Sequence, residues 1–177
     1  MRRHILTGTP GAGKTTLLHR PELGYPVVEE AATDVIAREQ AQGCGEPWTR
    51  AEFIDQILDL QRAREDAAPP GPVILHDRSP ICTHALSTFQ GREPSVLLRS
   101  ELDRVIRDDV YHPTVFFVAN LGFCRPTAAR RISYEDSLVF EQIHRDAYRA
   151  LGYQLIEIPA APVDERAEAV IAALARI

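Results

Sequence analysis

Eight residues near the amino end, Gly8-Thr9-Pro10-Gly11-Ala12-Gly13-Lys14-Thr15, satisfy G-x-x-x-x-G-K-[ST] at every required position. Glycines in such a loop let the backbone turn its N–H groups inward, making an anion nest at the positive end of the helix expected to follow. A polyphosphate is the guest that fits. Lys14 would reach its terminal phosphates, and the Thr15 hydroxyl would hold Mg²⁺ together with oxygens of the nucleotide. Thr16 joins the same candidate nucleotide-binding set; it also stands where a dinucleotide-binding G-x-G-x-x-G starting at Gly11 would need its third glycine, so that pattern fails. Of the 20 Lys and Arg residues only Lys14 is a lysine, so a single position calls for the compact ammonium rather than the arginine fork.

A second group with chemical potential is His76-Asp77-Arg78-Ser79, at the end of an apolar run beginning at Val73. Asp77 is a candidate to hold Mg²⁺ through water, and Arg78 offers a cationic fork to an anion or a substrate hydroxyl. No glutamate follows Asp77 to polarise a hydrolytic water, and with Lys14 already used no second lysine exists for the guanine-reading Asn/Thr-Lys-x-Asp motif. The combination points to phosphoryl transfer onto a bound acceptor. The same residues admit a plainer role, Asp77 capping a helix that starts near Ser79 with Arg78 in solvent. His76, Cys82 and His84 nearby lack zinc-ligand spacing and are assigned to packing.

An acceptor needs a base, and Glu29 and Glu30 stand where a second strand gives way to a helix. Glu30 is preferred; the alternative is a negative residue complementing a helix dipole. Between the fourth strand and the next helix, residues 122–134 carry Arg125, Arg130 and Arg131, a candidate lid in which Arg130 or Arg131 would place a guanidinium on the charge developing in transfer. An ordinary solvated basic turn is the alternative. Pro159, Ala160 and Ala161 follow the fifth strand, where doubly wound kinases line the donor's base with backbone. Trp48 is either an anchor for the following helix or a stacking surface for an acceptor ring.

Five apolar runs read as buried strands that position these groups: His4–Thr7, Pro26–Glu29, Val73–Asp77, Thr114–Ala119 and Tyr153–Ile158. Helical stretches alternate with them: Lys14–Arg20, Ala31–Gln42, Arg50–Ala67, Ser79–Phe89, Ser95–Asp109, Ser137–Ala150 and Asp164–Ala175. Alternation of this kind predicts an α/β fold with a parallel sheet. No linker, repeat or change of composition interrupts residues 1–177, which read as one nucleotide-binding domain. With 177 residues, 45% apolar, the chain can bury a core. A net charge of -5 argues against nucleic-acid and anionic-membrane partners. Three scattered cysteines, the absence of an apolar leader and the lack of any run of membrane-spanning length predict an unprocessed cytoplasmic protein.

Together these residues resemble the small single-domain AAA-like P-loop ATPases or kinases whose relatives include the nicotinamide riboside kinase domain. The resemblance rests on Gly8 to Thr15, Val-Val-Glu-Glu-Ala-Ala at 27–32, His-Asp-Arg-Ser at 76–79, the arginine loop, and the stretch from Ala147 to Ile158-Pro159 and Arg166. It implies a three-layer P-loop NTPase fold, nucleoside or nucleotide kinase-like, with five parallel strands in the order 2-3-1-4-5. It further implies ATP and Mg²⁺ at Lys14 and Thr15, an acceptor-facing Glu30, and a lid arginine at Arg130 or Arg131. One departure stands out: relatives often carry an arginine three residues after the glutamate, where this chain has Thr33. The expected activity is transfer of the γ-phosphoryl of Mg-ATP to a small, nucleoside-like acceptor. A nucleotide-binding ATPase or switch without an acceptor is the alternative.

Overall fold

The computed structural model describes residues 2–124 and 132–177. Five parallel strands, β1 (Arg2–Gly8), β2 (Val27–Val28), β3 (Val73–Asp77), β4 (Thr114–Val118) and β5 (Gln154–Ile158), form one sheet in the order β2-β3-β1-β4-β5. Among the described residues seven helices accompany them: α1 (Lys14–Leu18), α2 (Ala32–Ala41), α3 (Phe53–Asp66), α4 (Pro80–Phe89), α5 (Val96–Arg107), α6 (Tyr134–Ala150) and α7 (Val163–Leu174). A 3-10 turn at Pro47–Thr49 precedes α3.

Because side chains on a strand alternate, the sheet feeds two separate cores. Leu6, Phe116 and Ile156 face α1 and α7, where they pack with Leu17, Val170 and Leu174. Ile5, Val115 and Leu155 face the other way, onto Ile81 of α4, Val105 of α5 and Tyr148 of α6. These are the three layers expected, and β3, β4 and β1 from His4 onward are buried on both faces as a central parallel sheet requires. In register, Leu6 lies opposite Asp77 and Gly8 opposite Val118, so the carboxyl ends of β1, β3 and β4 open at the same edge of the sheet.

Most boundaries shift by a residue or two from the sequence expectation, β1 starting at Arg2 and α5 ending at Arg107, and those of α6, α3 and α1 shift for local reasons. Helix α6 begins at Tyr134 rather than Ser137, because Ser133 caps it by accepting from the Asp136 amide at 2.9 Å, with Glu135 and Asp136 in the first turn. Helix α3 begins at Phe53 rather than Arg50, since the 3-10 turn holds Trp48 and Thr49. Helix α1 closes at Leu18 after five residues, two short of expectation.

Three histidines are folded as neutral rings. His4 and His76 are fully buried, with no hydrogen-bond partner for any ring nitrogen among the described residues, and burial lowers each to about 4. His144, also fully buried, falls to about 3, through burial and then the Arg78 charge. A histidine titrating near 6.5 when unfolded takes up its proton before the folded ring does, so stability is complete above that pH and is lost as pH falls through it toward about 4. Each ring contributes on the order of 2 kcal/mol to that loss. Thermal melts followed by circular dichroism should show a midpoint that drops steadily across this window; a flat midpoint would contradict the neutral burial of these rings.

Candidate active site

The loop between β1 and α1 is shaped by close approach as much as by dihedrals. A Cβ on Gly8, whose φ is +137°, would meet the Val118 carbonyl oxygen at 2.2 Å, so only glycine lets β1 run beside β4 to this point. Gly11 and Gly13 follow with φ of +87° and +74°. Since α1 has only five residues, the loop's own N–H groups, more than a helix dipole, make it anion-seeking. Thr9 is tied down from α6, its hydroxyl donating to Oε2 of Glu141, which also accepts from Asn120 Nδ2 at 3.2 Å. Arg145, one turn further along α6, holds the other Glu141 oxygen at 2.9 Å.

Lys14 is 6% exposed and curls over the loop, its Nζ donating to the carbonyls of Gly8 at 3.1 Å and Thr9 at 3.0 Å. Burial, reinforced by Arg78 and opposed by Asp77 and Glu30, lowers it to about 8. A phosphate guest needs the protonated amine, so Mg-ATP affinity should weaken once pH rises above about 8, by up to about tenfold per unit. Titrations from about pH 7 to about pH 9.5 check this; an affinity constant over that range would mean Lys14 stays charged in the free protein.

Thr15 donates to Oδ2 of Asp77 at 3.0 Å, joining the loop to the end of β3. Oδ1 of Asp77 is buried with no partner among the described residues, and burial, reinforced by Glu30, raises the carboxyl above its ordinary value despite Lys14 and Arg78. A buried orphan oxygen beside a hydroxyl is the hard oxygen donor set that Mg²⁺ takes, so the residues present fit that ion. Asp77 does not cap α4. Ser79 does so, accepting from the Ile81 amide at 3.3 Å.

Arg78 is not in solvent. Its side chain is 16% exposed, with Nε 2.7 Å from Oε1 of Glu30 and Nη1 3.4 Å from Nε2 of His144. Burial opposes the charge, but Glu30, with Cys82 and Asp77, outweighs it and holds Arg78 protonated at any working pH. The backbone here has φ of +75°, an uncommon conformation for a side-chain-bearing residue that aims the guanidinium across the β3–α4 junction. Glu30 lies just before α2, whose cap is Ala31, rather than in its first turn. Its second oxygen accepts from Thr33 at 3.0 Å. Burial opposes ionisation of Glu30, yet Arg78, Lys14 and Thr33 together hold its carboxyl below the usual carboxylate range.

Glu30, Arg78, Pro10 and Thr15 line one cavity of about 600 Å³, whose far walls are apolar and aromatic, from Phe53 and Ile57 of α3 to Phe89 of α4. Trp48 packs against the Phe53 cluster, in keeping with an anchor for α3, and also borders this cavity. Gln61 is 4% exposed, faces the cavity, and has no hydrogen-bond partner among the described residues.

The structure therefore brings Lys14, Thr15, Glu30, Asp77 and Arg78 together. Thr16 is exposed one residue further along α1, while Pro159 and Ala160 are exposed and Ala161 half-buried in the turn before α7. Arg130 and Arg131, with Arg125, lie outside the described residues, so the arginine-lid expectation does too. Sequence reasoning missed Glu141, Arg145, Asn120 and Gln61. The spacing of Glu141 and Arg145, four apart on one helix, reads equally as a solvated ion pair.

The AAA domain family model matches residues 3–166. No curated protein sequence matches the chain. Among solved structures, deoxyadenosine kinase from M. mycoides with the products dCMP and a flexible dCDP bound superposes with a TM-score of 0.61 at 16% identity, covering 98% of each chain. The structure of that kinase with bound dATP gives 0.60 at 15% identity, covering 99% of this chain and 100% of the other. The likeness is one of fold, and neither these structures nor the family match singles out nicotinamide riboside kinases. With its glycine loop, its five parallel strands in the order 2-3-1-4-5 and a family match over nearly its whole length, the chain belongs to the AAA domain family and has the P-loop NTPase fold.

Proposed function

We propose that this protein is a kinase that transfers the γ-phosphoryl of Mg-ATP to a hydroxyl of a small, nucleoside-like acceptor. One observation carries the reading: a single cavity is bounded on one side by the phosphate loop, at Pro10 and Thr15, and on another by the Glu30 and Arg78 pair. A group bound there abuts the place where a triphosphate would end. A hydrolase would need that space for water alone, and about 600 Å³ walled by aromatic rings suits an organic ring instead. Gln61 adds an amide with donor and acceptor unspent among the described residues, close to the Phe53 and Ile57 wall, which suits reading the polar edge of a flat heterocycle. The deoxyadenosine kinase fold agrees with such a substrate class.

The residues divide the work by position. The loop amides and Lys14 would grip the phosphates, with Nζ exchanging the Gly8 and Thr9 carbonyls for phosphate oxygens. Thr15 and Asp77 would hold Mg²⁺, which when bound neutralises charge on the phosphate oxygens. Glu30, ionised and fixed by Arg78 and Thr33, accepts the proton of the acceptor hydroxyl as its oxygen bonds to phosphorus; the bond from phosphorus to the bridging oxygen breaks, and ADP leaves. Arg78 keeps Glu30 oriented and presents its remaining N–H groups to the acceptor side.

The test is ADP release from Mg-ATP with and without a panel of ribonucleosides and deoxyribonucleosides, with Lys14→Ala as control. Release stimulated by one class of acceptor and lost in the variant supports the kinase. Release that no acceptor stimulates overturns it in favour of an ATPase or nucleotide switch.

A further inference from the structure

Each of the other well-buried arginines placed above has a carboxylate: Arg78 has Glu30 at 2.7 Å, and Arg145 has Glu141 at 2.9 Å. Arg104, on α5, likewise has Glu65 at 3.1 Å and Glu101 at 2.9 Å. Arg166 on the first turns of α7 differs. It is 5% exposed, forms no ion pair among the described residues, and leaves its Nε buried without a partner. Burial alone acts on its ionisation, lowering it, with no neighbouring charge to offset the cost. A buried cation without a counter-charge is expensive to keep.

Its contacts show what it serves. Nη1 donates to the Ala12 carbonyl at 2.7 Å, and Nη2 lies 3.2 Å from where a Cβ on Gly13 would stand. Across a trans peptide the C=O and N–H point in opposite directions. With the Ala12 oxygen held by the guanidinium, the Gly13 N–H is turned to the opposite side, away from Arg166. Resting on the Mg-ATP reading above, the geometry points to Arg166 as a positioning residue for the donor: it locks the Ala12–Gly13 peptide in the phosphate-binding orientation and lends an uncompensated positive charge behind the loop. An anionic guest then supplies the missing counter-charge, which ties the cost of burying Arg166 to occupancy of the loop. Glycine is favoured at Gly13 at the same place, since a φ of +74° is one that L side chains rarely adopt and a Cβ there would press on the guanidinium at 3.2 Å.

Equilibrium titration with Mg-ATP and with adenosine, together with nucleotide-free thermal melts, tests this on wild type, Arg166→Gln and Arg166→Lys. Arg166→Gln is expected to weaken Mg-ATP about tenfold or more, to leave adenosine binding within about twofold, and to keep the nucleotide-free melting midpoint near wild type, since it removes a costly buried charge. Arg166→Lys retains a charge and one donor and should recover part of the lost affinity. Should Arg166→Gln fail to fold, Arg166→Lys alone decides: an affinity several-fold below wild type with an unchanged midpoint supports the inference. Mg-ATP affinity within about twofold of wild type in a folded variant overturns it, as does an equal loss for adenosine. If the wild type does not bind Mg-ATP at all, the nucleotide reading itself falls, and this inference with it.

Discussion

Replacing Lys14 with alanine is expected to lower kcat/KM for Mg-ATP by about a thousandfold or more, a loss of roughly 4 kcal/mol in transition-state stabilisation. The magnitude follows from where the ammonium sits. It is the only lysine in the chain, nearly sealed from water, within 3.1 Å of two loop carbonyls, and among groups whose charges already perturb it. In so dry a place an ion–phosphate contact is screened little. Arginine should not rescue it, since a planar fork cannot take the place of a point charge curled over the loop. The effect on folding should be small, about 1 kcal/mol in either direction, because losing two carbonyl contacts is offset by removing a cation that Arg78 repels. Steady-state kinetics beside a thermal melt separates the two: a thousandfold loss with an intact midpoint is expected, and near-wild-type turnover would remove Lys14 from the phosphate site.

The second large effect falls on Glu30. Glu30→Gln is expected to reduce kcat by about a hundredfold to ten-thousandfold while the KM for Mg-ATP changes little. Glutamine keeps an oxygen for the Arg78 Nε but cannot take a proton, so the change isolates the base from the scaffold. Glu30→Ala should be worse in a different way: Arg78, only 16% exposed, would lose its counter-ion, and breaking a buried pair from one side costs about 3 kcal/mol or more of stability. A split between the two variants, one folded and inactive and the other destabilised, is the expected pattern. Full activity in Glu30→Gln would mean the acceptor's proton goes elsewhere.

How much of this was legible beforehand depended on whether a residue's role is local. The phosphate loop is legible because its demands are on backbone conformation, and only glycine meets them at Gly8 and Gly13. Asp77 and Arg78 are legible because the end of an apolar strand marks the ligand-facing edge of a parallel sheet. The central strands β3 and β4 are legible for the same reason, a fully buried strand reading as a nearly continuous apolar run. Glu30 was chosen over Glu29 by position; the structure distinguishes them, since Glu29 instead approaches His19 at 3.0 Å in an exposed pair. Thr33 shows the limit. In the sequence it was only a departure from relatives, yet its hydroxyl steadies the Glu30 carboxylate. Arg166, Glu141 and Gln61 were assigned no chemistry because their partners or cavity walls lie on distant elements, Arg166 meeting Ala12 and Glu141 meeting Thr9. No periodicity in α6 or α7 encodes those meetings. The early start of α6 was in principle readable, as Ser133 stands three residues before Asp136 and accepts from its amide, but the acidic pair beside it masks the apolar rhythm used to find helices.

The account stands on the Gly8–Thr15 loop gripping a triphosphate, and isothermal calorimetry of the purified protein with Mg-ATP measures that directly. Saturable binding at a single site per chain, weakened when Mg²⁺ is chelated and lost in Lys14→Ala, is the predicted result. No binding by the wild-type protein with magnesium present would contradict it.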